Sequence, residues 1–363
     1  MHSPLSLFMS IQNSHRIEYI DALRGITMIL VVFNHVELFS FKISPALIAN
    51  EVFMSFRMPL FFFISGFIGY KAGVEWTRKT WWAMSKKKLM VQLIPTFFFG
   101  LIYAYAYCKA DITTFITDIH KLGYWFTIVL LEMFLLLYTM NYLLHLCGKT
   151  LRFHKSLTLT ILTIVFILAR FNYIPSLERL FDVFSLRLFF LYFPYFAFGY
   201  ICSMYRDTFN KVLDHKYFAA MVIISFAVFF CVGKAYLTTT KESSFFMYFS
   251  EVIVDLFIGI LGLFTVFNIF RVYQDSFTSD KRVGRALQYI GKRTLDIYLL
   301  HYFFIPYLPQ VGHMLEQGNN ATIELALGGG ISLLVIGLCL VVSNVLRTSP
   351  ILAKYLFGVK LKS

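Results

Sequence analysis

The chain has 363 residues, of which 58% are hydrophobic and only 15% are charged. A soluble domain of this length does not need so much apolar surface, so a water-soluble globular protein is excluded. The formal net charge of +13 is typical of nucleic-acid-binding proteins. The basic residues cluster in short segments between apolar runs, however, and we therefore predict no nucleic-acid partner.

Apolar runs of membrane-spanning length recur from end to end, which predicts an all-α integral membrane protein. We expect a bundle of about ten transmembrane helices in one domain over residues 1–363. The approximate spans are 17–39, 52–70, 90–108, 124–146, 157–173, 185–204, 217–236, 248–270, 294–309 and 324–346. Lys and Arg are enriched in alternate loops, which predicts that both termini lie in the cytoplasm. The five cysteines are scattered without a Cys-x-x-Cys pair, so we expect no metal site.

The first predicted span carries three groups that lipid disfavours: Asp21, Arg24 and His35. Arg24 and His35 fall within roughly 20° of each other on a helix and ~16 Å apart along its axis. Ionisable groups inside a membrane are costly and usually face a protein cavity. We therefore expect both side chains to face one interior chamber, with Asp21 forming an ion pair with Arg24 from one turn away.

Later spans carry further polar groups. Arg57 in the second span either extends to the outer interface or has a functional role. Glu132 in the fourth span is a possible partner of Arg24 or Arg57. His301 in the ninth span either lines the same cavity or packs between helices.

Small residues predict close helix contacts at two places. Ser65 and Gly66 form a small-residue spot in the second span. In the sixth span, Pro194 and Gly199 indicate a bend and a close approach.

Four segments resemble the membrane-bound acyltransferase 3 family. They are YIDALRGITMILVVFNH at 19–35, RMPLFFFISGF at 57–67, FPYFAFGYI at 193–201 and GKRTLDIYLLH at 291–301. The first segment matches the arginine–histidine signature of the family with Arg24 and His35. The resemblance covers nearly the whole chain. It implies a multi-pass O-acyltransferase of the bacterial inner membrane that transfers an acyl group, and we expect acetyl, from acyl-coenzyme A to a sugar hydroxyl.

The implied partners are acyl-coenzyme A as substrate, a glycan or lipid-linked sugar as acceptor, and membrane lipid, with no bound cofactor. In this family a basic pair precedes the third span, and Lys86, Lys87 and Lys88 stand at that position. The resemblance implies that these lysines bind the phosphates of coenzyme A. Lysines at the cytoplasmic surface also fix the orientation of a membrane protein and contact anionic lipid headgroups. This second role explains the three lysines almost as well.

Acyl transfer requires a base that removes the hydroxyl proton, groups that stabilise the oxyanion and a binding site for the acyl donor. His35 is the candidate base, and a role as an acyl-carrying nucleophile remains open. Arg24 is a candidate for binding either the pyrophosphate or the thioester carbonyl. The membrane face on which transfer occurs also remains open.

Two other classes of protein use polar groups in membrane spans. One is a transporter or flippase of a glycolipid or an organic acid. The other is a structural membrane partner in a polysaccharide-export complex. The absence of an internal repeat argues weakly against the transporter.

Overall fold

A computed structural model describes residues 17–171, 175–239 and 245–358, and every regular element within these ranges is helical. In chain order the helices are α1 (Glu18–Phe41), α2 (Ile48–Gly69), α3 (Arg78–Ala106), α4 (Ile112–Thr117), α5 (Trp125–Leu146), α6 (Arg152–Ala169), α7 (Glu178–Val183), α8 (Leu186–Met204), α9 (Arg206–Leu213), α10 (Phe218–Thr239), α11 (Phe245–Val272), α12 (Arg282–Lys292), α13 (Thr294–Leu300), α14 (Pro309–Gly318), α15 (Ala321–Leu346) and α16 (Pro350–Phe357). α1 ends in a π-helical stretch, Val36–Phe41, and α3 contains another, Leu89–Leu93.

Eight helices in the described ranges are long and apolar enough to cross a membrane: α1, α2, α3, α5, α6, α8, α11 and α15. The number rises to nine if the bent pair Arg206–Leu213 and Phe218–Gly233, which meet at 77°, counts as one span. The predicted all-helical, multi-pass architecture is therefore confirmed, whereas the count of ten and the orientation of the termini stay predictions.

The predicted span 294–309 is wrong as a continuous helix. α13 ends at Leu300, a 3₁₀ turn covers His301–Phe303, and the chain is non-helical until α14 begins at Pro309. Pro306 lacks a backbone N–H and disfavours a helical conformation at the residue before it. The run is apolar enough for a span, but its prolines interrupt the helix.

α2 and α8 pack closely through a reciprocal pair of glycines. The Cα of Gly66 lies against the carbonyl of Phe196, and the Cα of Gly199 lies against the carbonyl of Phe63. Any Cβ at either position would overlap with the backbone of the other helix. The close approaches predicted at these two glycines are confirmed, and they are the type of contact that small residues permit between membrane helices.

α1 is fixed against α12 in the same way. Gly25 lies against the carbonyl of Leu287, and Gly291 lies against the carbonyl of Asp21. Because backbone contacts leave no room for rotation, the polar residues of α1 are held in one direction.

A loop between α4 and α5, which we call the rim loop (residues 118–124), is held by a buried lysine. Lys121 is only 2% exposed, and its Nζ donates to three backbone carbonyls. These are the carbonyls of Ile116 at 2.8 Å, Asp118 at 2.7 Å and Asp182 at 2.6 Å. Ser185 Oγ donates to the carbonyl of Ile119 at 2.7 Å. The rim loop is therefore tied to the corner between α7 and α8.

We expect Gly66→Leu to destabilise the fold by about 1–3 kcal/mol or more, because the new side chain must separate α2 from α8. The measurement is the thermal midpoint of the purified protein in detergent. Gly337→Leu is the matched control, since Gly337 is exposed on α15 and open space surrounds its Cα. Equal thermal midpoints for the two variants would contradict the close α2–α8 contact.

Candidate active site

α1, α2, α5, α8, α13 and the rim loop enclose a cavity of about 210 Å³, which we call the central cavity. Its polar lining consists of Asn34, His35, Arg57, His120, Tyr192 and Tyr298. Apolar and aromatic side chains such as Met28, Val31 and Trp125 complete its wall. An apolar pocket with a few converging polar groups is the usual form of a small-molecule site.

His35 and His301 form a hydrogen-bonded pair at the edge of this cavity. His35 Nδ1 lies 2.7 Å from His301 Nε2, and the two ring planes differ by only 13°. His301 is fully buried, and its Nδ1 lies 2.7 Å from the carbonyl oxygen of Tyr298 and 3.1 Å from that of Ile297. Of the two roles predicted for His301, packing between helices is therefore the one observed, with a direct bond to His35.

These contacts determine where the protons lie when both rings are neutral. Carbonyl oxygens only accept, so Nδ1 of His301 must carry the proton and its Nε2 must accept. His35 Nδ1 therefore donates to His301, which leaves the lone pair on His35 Nε2. Because His35 lines the central cavity, this nitrogen is a basic atom available to a bound hydroxyl.

A tyrosine near His35 was not anticipated from the sequence. The Tyr302 hydroxyl lies 3.4 Å from His35 Nε2 and donates to the carbonyl of Gly123 at 3.2 Å. Gly123 has a positive φ of 106°, and a Cβ there would overlap with the Tyr302 hydroxyl. Tyr302 thus connects the rim loop to the imidazole of His35. Any residue other than glycine at position 123 would displace Tyr302.

Arg57 also lines the central cavity and does not merely extend to the interface. Its Nη1 donates to Asn50 Oδ1 at 3.4 Å, and Asn50 Nδ2 donates to Asn34 Oδ1 at 3.2 Å. Arg57 forms no ion pair with any described residue. Since a guanidinium has five N–H donors, most of them remain available to an oxygen ligand in the cavity.

Two buried carboxyl groups stand behind Asn50. Glu324 accepts from the backbone N–H groups of Ala49 at 3.1 Å and Asn50 at 2.8 Å, so it caps the first turn of α2. Glu37, two residues after His35, is 1% exposed and lies beside Glu324 and Asn50. The sequence analysis assigned no role to these residues, although an acidic side chain so close to His35 in an apolar run was a visible signal.

Arg24 lies outside the central cavity, at the other end of the same helix face. Its Nη2 donates to Thr294 Oγ1 at 2.9 Å, and its Nη1 lies 3.7 Å from Asp21 Oδ1, which confirms the predicted ion pair. Arg24 and His35 thus both bond to the segment 294–301, which confirms the expected shared face. The prediction that both line one chamber is wrong, because Arg24 does not line the central cavity. The cavity-lining residues Met28 and Val31 lie between them.

Lys86, Lys87 and Lys88 lie on α3 and not in the predicted loop, because this helix already begins at Arg78. Lys86 and Lys87 are exposed. Lys88 is half-buried, and its Nζ lies 3.4 Å from the ring centroid of Phe134.

The charges of Lys71, Lys87 and Arg24 all act on Lys88. We call these four residues the basic cluster. Outside the spans, partial desolvation and then the charge of Lys87 lower the pKa of Lys71. Positive groups this close together favour a polyanionic ligand.

Glu132 does not join either arginine. It forms no ion pair with a described residue, and it does not line the central cavity. The charge that acts on Glu132 is that of Lys121 in the rim loop, so the prediction of a pair with Arg24 or Arg57 is wrong. His120, by contrast, lines the cavity although it lies in a loop. The sequence analysis considered only histidines deep within spans and missed it.

A protein-family model described as an acyltransferase domain, that of the acyltransferase 3 family, matches residues 17–343. The matched region includes the central cavity and the basic cluster. A search of curated proteins and a search of solved structures each gave no match.

The His35–His301 contact predicts a single tautomer for His35. We expect ¹⁵N solid-state NMR of ring-labelled protein to place the proton of neutral His35 on Nδ1, with the signal assigned by its loss in His35→Asn. His301→Leu removes the acceptor and should let His35 populate both tautomers. His301→Gln keeps an acceptor oxygen and should retain the wild-type form. A wild-type spectrum with the proton on Nε2 would contradict the proposed proton arrangement.

Proposed function

The chain belongs to the acyltransferase 3 family, and on that premise we propose that it is a membrane O-acyltransferase using acetyl-coenzyme A. The acceptor is a sugar hydroxyl of a cell-surface or lipid-linked glycan. The observation that supports this best is the pairing of an oriented imidazole, His35, with a guanidinium, Arg57, in one cavity. Family membership favours acyl transfer over a transporter or flippase. The site of action is the bacterial inner membrane.

In the proposed reaction, His35 Nε2 removes the proton from the sugar hydroxyl as the oxygen attacks the thioester carbon. The C–S bond then breaks, the sugar ester forms, and the protonated His35 returns the proton to the sulfur so that coenzyme A leaves as the thiol. His301 and the carbonyl of Tyr298 keep the ring oriented throughout. Such a fixed base contributes a factor of about 10²–10⁴ in rate. The same lone pair on Nε2 attacks the thioester if His35 first accepts the acetyl group itself, so both routes require the tautomer inferred from the His301 contacts.

Arg57 is the group that we assign to the thioester carbonyl. A donor that already points at the developing oxyanion needs little reorganisation, and its effect is large in a site shielded from water. Arg24 lies outside the cavity, which favours the other role considered for it, the binding of the coenzyme A pyrophosphate. Asp21 and Thr294 hold Arg24 in position for that role.

The basic cluster is the proposed site for the phosphates of the donor. Eleven residues of helix separate Arg24 from His35, about 16 Å along the axis. An extended pantetheine arm is long enough to cross this interval along Met28 and Val31. In the predicted orientation the cluster faces the cytoplasm, where acetyl-coenzyme A is made, and His35 lies in the outer half of the membrane.

We expect His35→Ala to lower O-acetyl transfer by about 10²–10⁴-fold, because the base is lost, while the protein still inserts and folds. The measurement is mass spectrometry of surface glycans from cells that produce each variant, with the amount of membrane-inserted protein determined in parallel. His313→Ala is the control, since the side chain of His313 is 78% exposed and lies outside the cavity. Unchanged glycan acetylation in His35→Ala would remove His35 from the mechanism.

The role of the basic cluster is tested by two donors that differ only in the nucleotide part. We expect Arg24→Gln and Lys88→Gln to raise the KM for acetyl-coenzyme A by about tenfold, as lost charge-assisted hydrogen bonds do. Neither variant should change the KM for acetyl-pantetheine, which lacks the nucleotide phosphates. The measurement is the release of free thiol, coenzyme A or pantetheine, by purified protein in nanodiscs. Equal effects on both donors would place these residues elsewhere in the mechanism.

A further inference from the structure

A second cavity, of about 390 Å³, lies beside the central cavity. The C-terminal end of α6, the helix α7, the first turns of α8 and Tyr248 of α11 surround it. In the predicted orientation this is the outer side of the membrane, so we call it the outer cavity. None of its lining residues belongs to the site described above.

The outer cavity contains an arginine, Arg170, that no described residue pairs with directly. The charge of Asp255 nevertheless acts on the same two tyrosines as the charge of Arg170, Tyr192 and Tyr195. Arg187 lies 3.4 Å from Glu178, and both side chains are about half exposed, so these two lining charges offset each other. Arg170 is half-buried, and it forms no ion pair and no side-chain hydrogen bond with any described residue. A guanidinium with available donors in a concave site is suited to a carboxylate or a phosphate.

Aromatic side chains form much of the remaining wall. Phe181 and Phe190 meet edge to face with their ring centroids 6.0 Å apart, and Tyr248 is 44% exposed. The faces of such rings pack against the C–H groups of a sugar, while a phenol hydroxyl bonds to sugar oxygens. The lining thus combines surfaces for a sugar ring with a site for an anionic substituent.

α8 separates the two cavities and brings them within one helical turn. Leu188 and Leu191 line the outer cavity, whereas Tyr192 lines the central cavity. The phenol of Tyr192 is within Coulombic range of Arg57 in the central cavity and of Arg170 in the outer one. A ligand anchored at Arg170 is therefore close to the wall behind which His35 lies.

We propose that the outer cavity binds the acceptor through an anionic group, a carboxylate or a phosphate on the glycan, so that the substrate class is an acidic glycan. Arg170 holds the anion, and the aromatic wall holds the adjoining sugar. A neighbouring hydroxyl then reaches the central cavity past Tyr192. This inference rests on the proposed function, because it assigns the acceptor site of the same enzyme.

The test compares methyl glucuronide with methyl glucoside, which differ only at C6, where the glucuronide has a carboxylate and the glucoside a hydroxymethyl group. Saturation-transfer NMR measures direct binding of each probe to the full-length protein in phosphatidylcholine nanodiscs, without any donor. We expect the glucuronide to bind about tenfold more tightly than the glucoside, as a charge-assisted hydrogen bond predicts. Arg170→Gln should abolish this preference. Arg179→Gln should retain it, because Arg179 is exposed and does not line the cavity.

Equal binding of the two probes to the wild-type protein would overturn the proposal, as would an unchanged preference in Arg170→Gln. If Arg179→Gln lost the preference for the glucuronide as fully as Arg170→Gln, the preference would come from general surface charge, and the proposal would also be overturned. The anion in the outer cavity could come from a glycan or from a lipid headgroup, and nanodiscs that contain phosphatidylglycerol distinguish these two sources. Displacement of the glucuronide by this lipid would identify a lipid headgroup as the occupant and contradict the glycan. Binding is measured without acyl transfer. A failure of this acceptor-site proposal can therefore be distinguished from a failure of the proposed reaction.

Discussion

The hydrogen bond between His35 and His301 is the constraint on which the rest of the site depends. It requires α1 and α13 to approach closely, and it requires the carbonyls of the last turn of α13 to face the ring of His301. Gly25 and Gly291 fix α1 against α12, which leads directly into α13. The His35–His301 contact thus couples the close backbone packing of α1 and α12 to the orientation of one imidazole.

Charge inside the bundle is arranged in opposite ways around Arg24 on α1 and Arg57 on α2. At Arg24 a nearby carboxylate, Asp21, shares the guanidinium. At Arg57 the supporting groups are neutral amides, and the carboxyl groups of Glu37 and Glu324 stand one layer further back. The charge of Glu37 still acts on Arg57, but no carboxylate bonds to its guanidinium directly. A guanidinium that hydrogen-bonds to a neutral amide keeps more of its field for a ligand. This difference is consistent with the separate roles proposed for the two arginines.

The sequence predicted what depends on local pattern. The helical architecture, the shared face of Arg24 and His35, the ion pair of Asp21 and the glycine contacts of Gly66 follow from spacing and residue size. The pairing of His35 with His301 depends on how distant segments meet, and one chain without aligned relatives does not contain that information. Glu132 shows the same limit. Charge complementarity predicted an arginine as its partner, whereas the fold places Glu132 near Lys121.

The failure at residues 294–309 has a different origin. Hydropathy counts apolar side chains but is insensitive to backbone hydrogen bonding, and Pro306 and Pro309 interrupt the backbone pattern. Non-helical backbone at membrane depth is tolerated only where protein or a wet cavity covers it. Here the interruption directly follows the 3₁₀ turn that begins at His301, so the non-helical stretch lies beside the His35–His301 pair.

The anchoring of the rim loop has a consequence for selectivity. Lys121 binds backbone oxygens on both the loop and the α7–α8 corner, and Ser185 adds a second tie. A loop braced in this way presents its cavity-lining residues His120 and Gly123 in one preset arrangement. A ligand that fits this arrangement avoids the cost of ordering the loop, so preorganisation of the wall contributes to selectivity.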